Sequence, residues 1–186
     1  MDAVNEIVQP VRRPSLALWR TAVVLFKLRI VSLLLLAAFG GAGLGTMVTG
    51  QVSAWSWVLL AVTGTLSAAG ASGINQYLER ERDARMNRTA ARPLAAGQIE
   101  NPHLILLLGS GMVLGATVLA AAFNLALAFW VGIGAVIYVG VYTVWLKPRT
   151  TLNIVIGGAA GSCAVISGGA AVGAWSALGV WILAAL

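Results

Sequence analysis

Asn75, Glu79 and Asp83 stand four residues apart in the run Asn75-Gln-Tyr-Leu-Glu79-Arg-Glu81-Arg-Asp83. On a continuous helix that spacing rotates each residue by only about 40° from the last, so all three share one face. Glu79, Glu81 and Asp83 are half of the six acidic residues in the chain. Carboxylates are costly near lipid, and a cluster of them at the end of an apolar span marks a functional site. Two carboxylates with an amide oxygen one turn above form an oxygen donor set that suits Mg²⁺. That ion keeps waters and substrate phosphates in its shell. Arg88 and Arg92, one turn apart downstream, suit phosphate oxygens. The chemistry implied is capture of a polyanion through a metal ion. The competing reading is a solvated loop whose arginines pair with nearby carboxylates and serve only to set topology.

The elements that must position this cluster are membrane helices. The chain is 59% hydrophobic and only 10% charged, and its mean hydropathy is +0.89. That composition excludes a soluble domain and predicts an all-α, polytopic transmembrane bundle. A helical crossing takes about 20 residues. Five stretches meet that length, near 28–49, 55–78, 103–123, 125–146 and 152–173. A sixth begins at Trp175, but the 12 residues from there to Leu186 are too few to cross. The chain is therefore expected to be a fragment or a truncated product. Residues 1–27 are expected to form a cytoplasmic N-terminal segment, and 79–102 a long cytoplasmic loop in which Pro93 ends any helix running down from the second span.

Charge supports this span count. Arg12, Arg13, Arg20, Lys27 and Arg29 precede or open the first span; Arg80, Arg82, Arg85, Arg88 and Arg92 follow the second; Lys147 and Arg149 follow the fourth. The other three connections carry no charge. Alternating crossings put every basic residue on one side, and the positive-inside rule makes that side, and the N-terminus, cytoplasmic. The net charge of +6 is thus explained by topology and anionic lipid, and a nucleic-acid partner is excluded. Trp55, Trp57, Trp145 and Trp175 suit the interfaces. Gly41/Gly45, Gly111/Gly115, Gly157/Gly161 and Gly169/Gly173 are spaced for close helix approach. Cys163 reads as a small buried apolar residue. His103, at the start of the third span, reads as structural.

The stretch Asn75–Ile99, with its Met86-Asn-Arg88-Thr89-Ala-Ala-Arg92-Pro93-Leu94 portion, resembles the first acidic motif of the intramembrane, UbiA-like prenyltransferases. It most resembles the haem O synthase (protohaem IX farnesyltransferase) branch. Tyr142-Thr-Val-Trp-Leu-Lys147-Pro-Arg149-Thr-Thr-Leu-Asn153-Ile-Val-Ile-Gly157-Gly158 is a second match in the right order. The resemblance implies the front part of a nine-helix fold whose second acidic motif follows the sixth span. It implies transfer of a farnesyl group from farnesyl diphosphate to a vinyl group of haem b, with Mg²⁺ held by Asn75, Glu79 and Asp83 and with Glu81 an accessory. Arg88, Arg92, Tyr142, Lys147 and Arg149 would contact the diphosphate. It also implies a bacterial cytoplasmic membrane, with haem A synthase or cytochrome oxidase assembly as neighbours. One alternative is a prenyltransferase acting on a quinone-type aromatic acceptor. Another is a non-catalytic membrane fragment.

Overall fold

Lipid tails are as apolar as leucine, so helices in a bilayer associate through close packing of small residues more than through hydrophobic burial. The computed structural model describes residues 16–186, and it shows this packing throughout. Arg12 and Arg13, within the expected N-terminal segment, lie outside the described residues. The chain forms α1 (Leu16–Leu25), α2 (Leu28–Thr49), α3 (Ala54–Asp83), α4 (Pro102–Ala121), α5 (Leu125–Val136), a π-helix (Ile137–Leu146) that continues α5, α6 (Asn153–Ala171) and α7 (Leu178–Ala185). No strand occurs among the described residues.

Five helical segments are long and apolar enough to cross a membrane: α2, α3, α4, α5 with the π-helix, and α6. They match the five expected stretches to within a few residues, except that α3 runs on to Asp83. The acidic motif is therefore helical throughout, and the connecting segment begins after it, not at residue 79. Pro93 does not end the helix, which stops ten residues earlier. The short α1 lies inside the segment expected to be a tail. The stretch after Trp175 forms α7, eight residues long.

Caps explain the turns. The Asn101 side chain accepts from the His103 N–H at 3.2 Å with Pro102 at the first helical position, which starts α4. Asn124 starts α5 by accepting from the Leu127 N–H at 3.0 Å, and its amide donates to the Ala170 carbonyl at 2.8 Å. That bond ties the start of α5 to the end of α6.

The core is built of small residues. Ala38, Ala42, Ala116 and Ala120 are buried at helix crossings, whereas Leu36, Leu107 and Ile154 face outward. Where α2 meets α6, a Cβ on Gly41 would collide with the Val165 carbonyl, and one on Gly168 with the Ala38 carbonyl. Where α3 meets α4, a Cβ on Gly70 would sit 2.6 Å from the Gly109 carbonyl. The expected glycine pairs are thus only partly the packing ones. Gly41 and Gly45 are, but Gly111, Gly115, Gly161 and Gly173 face open space, and the crossings also use Gly70, Gly109 and Gly168.

Gly168→Ala should therefore force α2 and α6 apart. The expected loss is about 1–3 kcal/mol, the usual cost of overpacking, read as a lower thermal midpoint in detergent. Gly43→Ala, in open space, should leave the midpoint unchanged.

Candidate active site

The motif residues converge at the end of α3. Asn75, Glu79 and Asp83 are all buried on one face of that helix, as their spacing requires. Each meets a cation or hydroxyl from a different part of the chain. The Glu79 carboxylate pairs with the Lys147 ammonium at 2.5 Å, just beyond the π-helix. Asp83 pairs with the Arg92 guanidinium at 2.6 Å. Asn75 Oδ1 accepts from Lys27 Nζ at 2.8 Å, and its Nδ2 donates to Thr143 Oγ1 at 3.0 Å. Lys27 Nζ also donates to the Tyr138 hydroxyl at 3.2 Å.

Local structure delivers each partner. The segment after α3 folds back beneath it: Leu94 is buried against Leu25 and Tyr77, and the Thr89 hydroxyl donates to the Asp83 carbonyl at 3.1 Å. That anchoring brings Arg92 onto Asp83. Lys27 sits in the turn between α1 and α2 with φ 47° and ψ 49°. A side chain other than glycine in this left-handed region costs about 1–2 kcal/mol, and such strain gathers at functional sites. Gln76 holds the turn, its amide donating to the Val24 and Leu25 carbonyls at 2.7 and 2.8 Å. Burial pushes the Lys27 ammonium down to about 8; the charge of Arg92 adds to this effect and that of Glu79 opposes it.

In the π-helix, the Thr143 hydroxyl donates to the Tyr138 carbonyl at 2.8 Å and the Lys147 N–H to the Tyr142 carbonyl at 2.9 Å, each five residues back. The widened turn carries Tyr138 and Thr143 to the same cluster. Tyr142 stacks on Tyr138 with centroids 5.7 Å apart, and Lys147 Nζ lies 5.5 Å from the Tyr142 ring centroid. A Cβ on Gly157 would stand 2.6 Å from that ring, so glycine there leaves room for it.

Of the expected residues, Asn75, Glu79, Asp83, Arg92, Lys147 and Tyr142 come together. Arg88 and Arg149 are exposed, and Arg149 donates to the Trp145 carbonyl at 2.8 Å. Glu81 points outward and pairs with Arg80 at 3.3 Å. His103 Nδ1 is hydrogen-bonded to the Tyr77 hydroxyl at 2.9 Å. Lys27, Tyr138 and Thr143 escaped the sequence reading. Lys27 had carried only a topological role, although a basic residue entering the first span beside the acidic motif is a usable signal.

The cluster sets three cations, Lys27, Arg92 and Lys147, against the carboxylates of Glu79 and Asp83. Glu79 Oε2 is buried with no partner among the described residues. A carboxylate oxygen left without a donor is what a hard cation would occupy. No group of three His, Cys, Asp or Glu residues suited to a metal stands together among the described residues, so such an ion would complete its shell from amide, water or substrate oxygens. With both carboxylates engaged by a metal, Lys147 and Arg92 would be released toward an anion.

An apolar cavity of about 260 Å³ opens beside the cluster, with Lys27 and Tyr138 at its head and α2, α3, α5 and α6 as walls. A bundle with five helical segments long and apolar enough to cross a membrane thus joins a charged cluster to an apolar cavity. The chain belongs to the UbiA prenyltransferase family, whose model matches residues 33–186. It is similar to a protoheme IX farnesyltransferase of Saccharolobus islandicus, 43% identical over 142 residues that cover 76% of this chain and 49% of that protein. It is also similar to a protoheme IX farnesyltransferase of Thermus thermophilus, 39% identical over 170 residues that cover 91% of this chain and 28% of that protein. The chain thus spans about half the length, or less, of these relatives. No solved structure matches it.

Lys147→Met should strand the Glu79 carboxylate. The expected loss of stability is about 1–3 kcal/mol, reduced from that of a fully buried pair because Lys147 is partly exposed. Adding Glu79→Gln should recover most of the loss in detergent melting. Additive losses would show that the pair is not coupled.

Proposed function

We propose that this chain forms the farnesyl diphosphate side of a haem O synthase, which joins a farnesyl group to a vinyl group of haem b and releases diphosphate. The observation that carries the reading is the convergence of three cations, Lys27, Arg92 and Lys147, on two buried carboxylates at the head of an apolar cavity. The names of the relatives supply the acceptor. Asn75, Glu79 and Asp83 would hold Mg²⁺, which when bound neutralises charge on the leaving diphosphate.

The difficult step is breaking the allylic C–O bond, whose electron pair leaves with the diphosphate. Lys27, Arg92 and Lys147 are positioned to stabilise that growing charge at the head of the cavity. Tyr142 holds Lys147 in place, and Arg88 and Arg149 meet the diphosphate from the aqueous side. The cavity walls keep water from the allylic cation. The vinyl group supplies the electron pair of the new C–C bond. Water then adds to the resulting cation and loses a proton, leaving a hydroxyethyl group. The same reading places the N-terminus and the cluster on the cytoplasmic side of a bacterial inner membrane.

The acidic motif on α3 is one half-site, and the resemblance implies a second. The 186 residues alone are therefore expected to be inactive. Fused to the C-terminal half of a relative, they should convert haem b to haem O in the presence of Mg²⁺, followed by mass spectrometry. Chelation should abolish turnover, and Asp83→Asn should lower it by at least about 100-fold. Prenylation of a quinone precursor with haem untouched would overturn the acceptor. Robust transfer by the 186 residues alone would overturn the half-site reading.

A further inference from the structure

At the end of the cavity far from the ion pairs, Trp130 is the one aromatic side chain in the lining. Beyond Leu35 its walls are mostly small residues, among them Ala38, Gly64, Ser67, Ala164 and Ser167; Trp130 and its neighbour Val131 are the larger ones. Helix register places these residues deep. From the head of the cavity at Lys27, Ser72, Tyr138 and Gly157, the four walls descend eight to eleven residues to Ala38, Gly64, Trp130 and Ser167. At the helical rise this is about 12–17 Å. An extended chain advances about 1.2 Å per bond, so three isoprenoid units run on the order of 14 Å, and a fourth would need several more. Trp130 is also held fast. Its ring meets Phe129 edge-on at 5.2 Å and 83°. It meets Trp181 of α7 at 5.6 Å and 78°. Such edge-to-face pairs resist displacement.

We propose that Trp130, backed by Trp181, is the stop that limits the isoprenoid tail to three units. The inference rests on the reading that a prenyl diphosphate fills this cavity, but not on which acceptor receives the prenyl group. It gives α7, which adds nothing to the ionic cluster, a role in substrate selection. It also explains why the deep walls are otherwise mostly small: the tail needs width there, and length is set by one ring.

The test is binding of C10, C15 and C20 prenyl diphosphates to the 186 residues fused to the C-terminal half of a relative, in lipid nanodiscs with Mg²⁺. Wild type should tighten from C10 to C15 and gain nothing further at C20. Trp130→Ala should raise the affinity for C20 relative to C15 by at least about tenfold over wild type, because removing the ring relieves the overpacking that five more carbons would cause. Trp130→Phe should keep the C15 optimum. Trp181→Ala, which removes the backing from a partly exposed position on α7 and spares the ring itself, should shift the optimum in the same direction by less. If Trp130→Ala does not fold, the Trp181→Ala ratio decides. An unchanged C20-to-C15 ratio in the folded variants overturns the stop. Length selection without haem modification in the fused protein would overturn only the acceptor. Failure of the fused protein to bind any of the three diphosphates overturns both readings.

Discussion

Two carboxylates buried at the end of a membrane helix need compensating charge, and the fold around α3 is organised to provide it. An unpaired buried carboxylate would cost several kcal/mol or take up a proton. Glu79 and Asp83 avoid this through Lys147 and Arg92. Those cations come from separate connections: Arg92 depends on the segment folded beneath α3, and Lys147 on the register of the π-helix. Lys27, which bonds to Asn75, comes from the α1–α2 turn. The site is thus a meeting point of three loops, each anchored by its own packing. Its excess of positive charge is what a metal-bound diphosphate would satisfy.

The same economy governs the membrane interior. Glycine and alanine bring α2 against α6 and α3 against α4 until backbones touch. Close crossings at those pairs leave the space among α2, α3, α5 and α6 unfilled, and that space is the cavity. Close packing and the cavity therefore use small residues at different positions. A side chain added at Gly168 would prise helices apart, whereas one added at Gly64 would meet Leu35 at 3.2 Å, beside the cavity.

Much of this was legible in the sequence, for reasons that differ between residues. The spans could be read because hydropathy and alternating charge are independent signals that agree. The shared face of Asn75, Glu79 and Asp83 could be read because α3 continues unbroken through Asp83. Arg92 entered as one of two arginines a turn apart and Lys147 through resemblance to a family pattern, and their pairing with specific carboxylates needed the folded loop. Lys27 was hidden because its aim depends on a left-handed backbone turn that no residue type announces. Gly70, Gly109 and Gly168 were hidden because the chain has 22 glycines, and spacing alone does not tell a crossing from a lipid-facing position. Tyr138 and Thr143 were missed because an α-helical period puts residues five apart about 140° from one another.

A π-helical stretch is equivalent to an α-helix carrying an inserted residue. Here the insertion lies between the wall of the cavity, at Val131 and Ala135, and the ammonium of Lys147. Deleting one residue from Ile137–Leu146 would leave the span still long enough to cross a bilayer and its hydropathy almost unaltered. It would nonetheless turn everything downstream by about 100° relative to the cavity wall, carrying Lys147 away from Glu79. The length of this short segment, more than the identity of its apolar residues, is then what lineages of this fold would be constrained to keep.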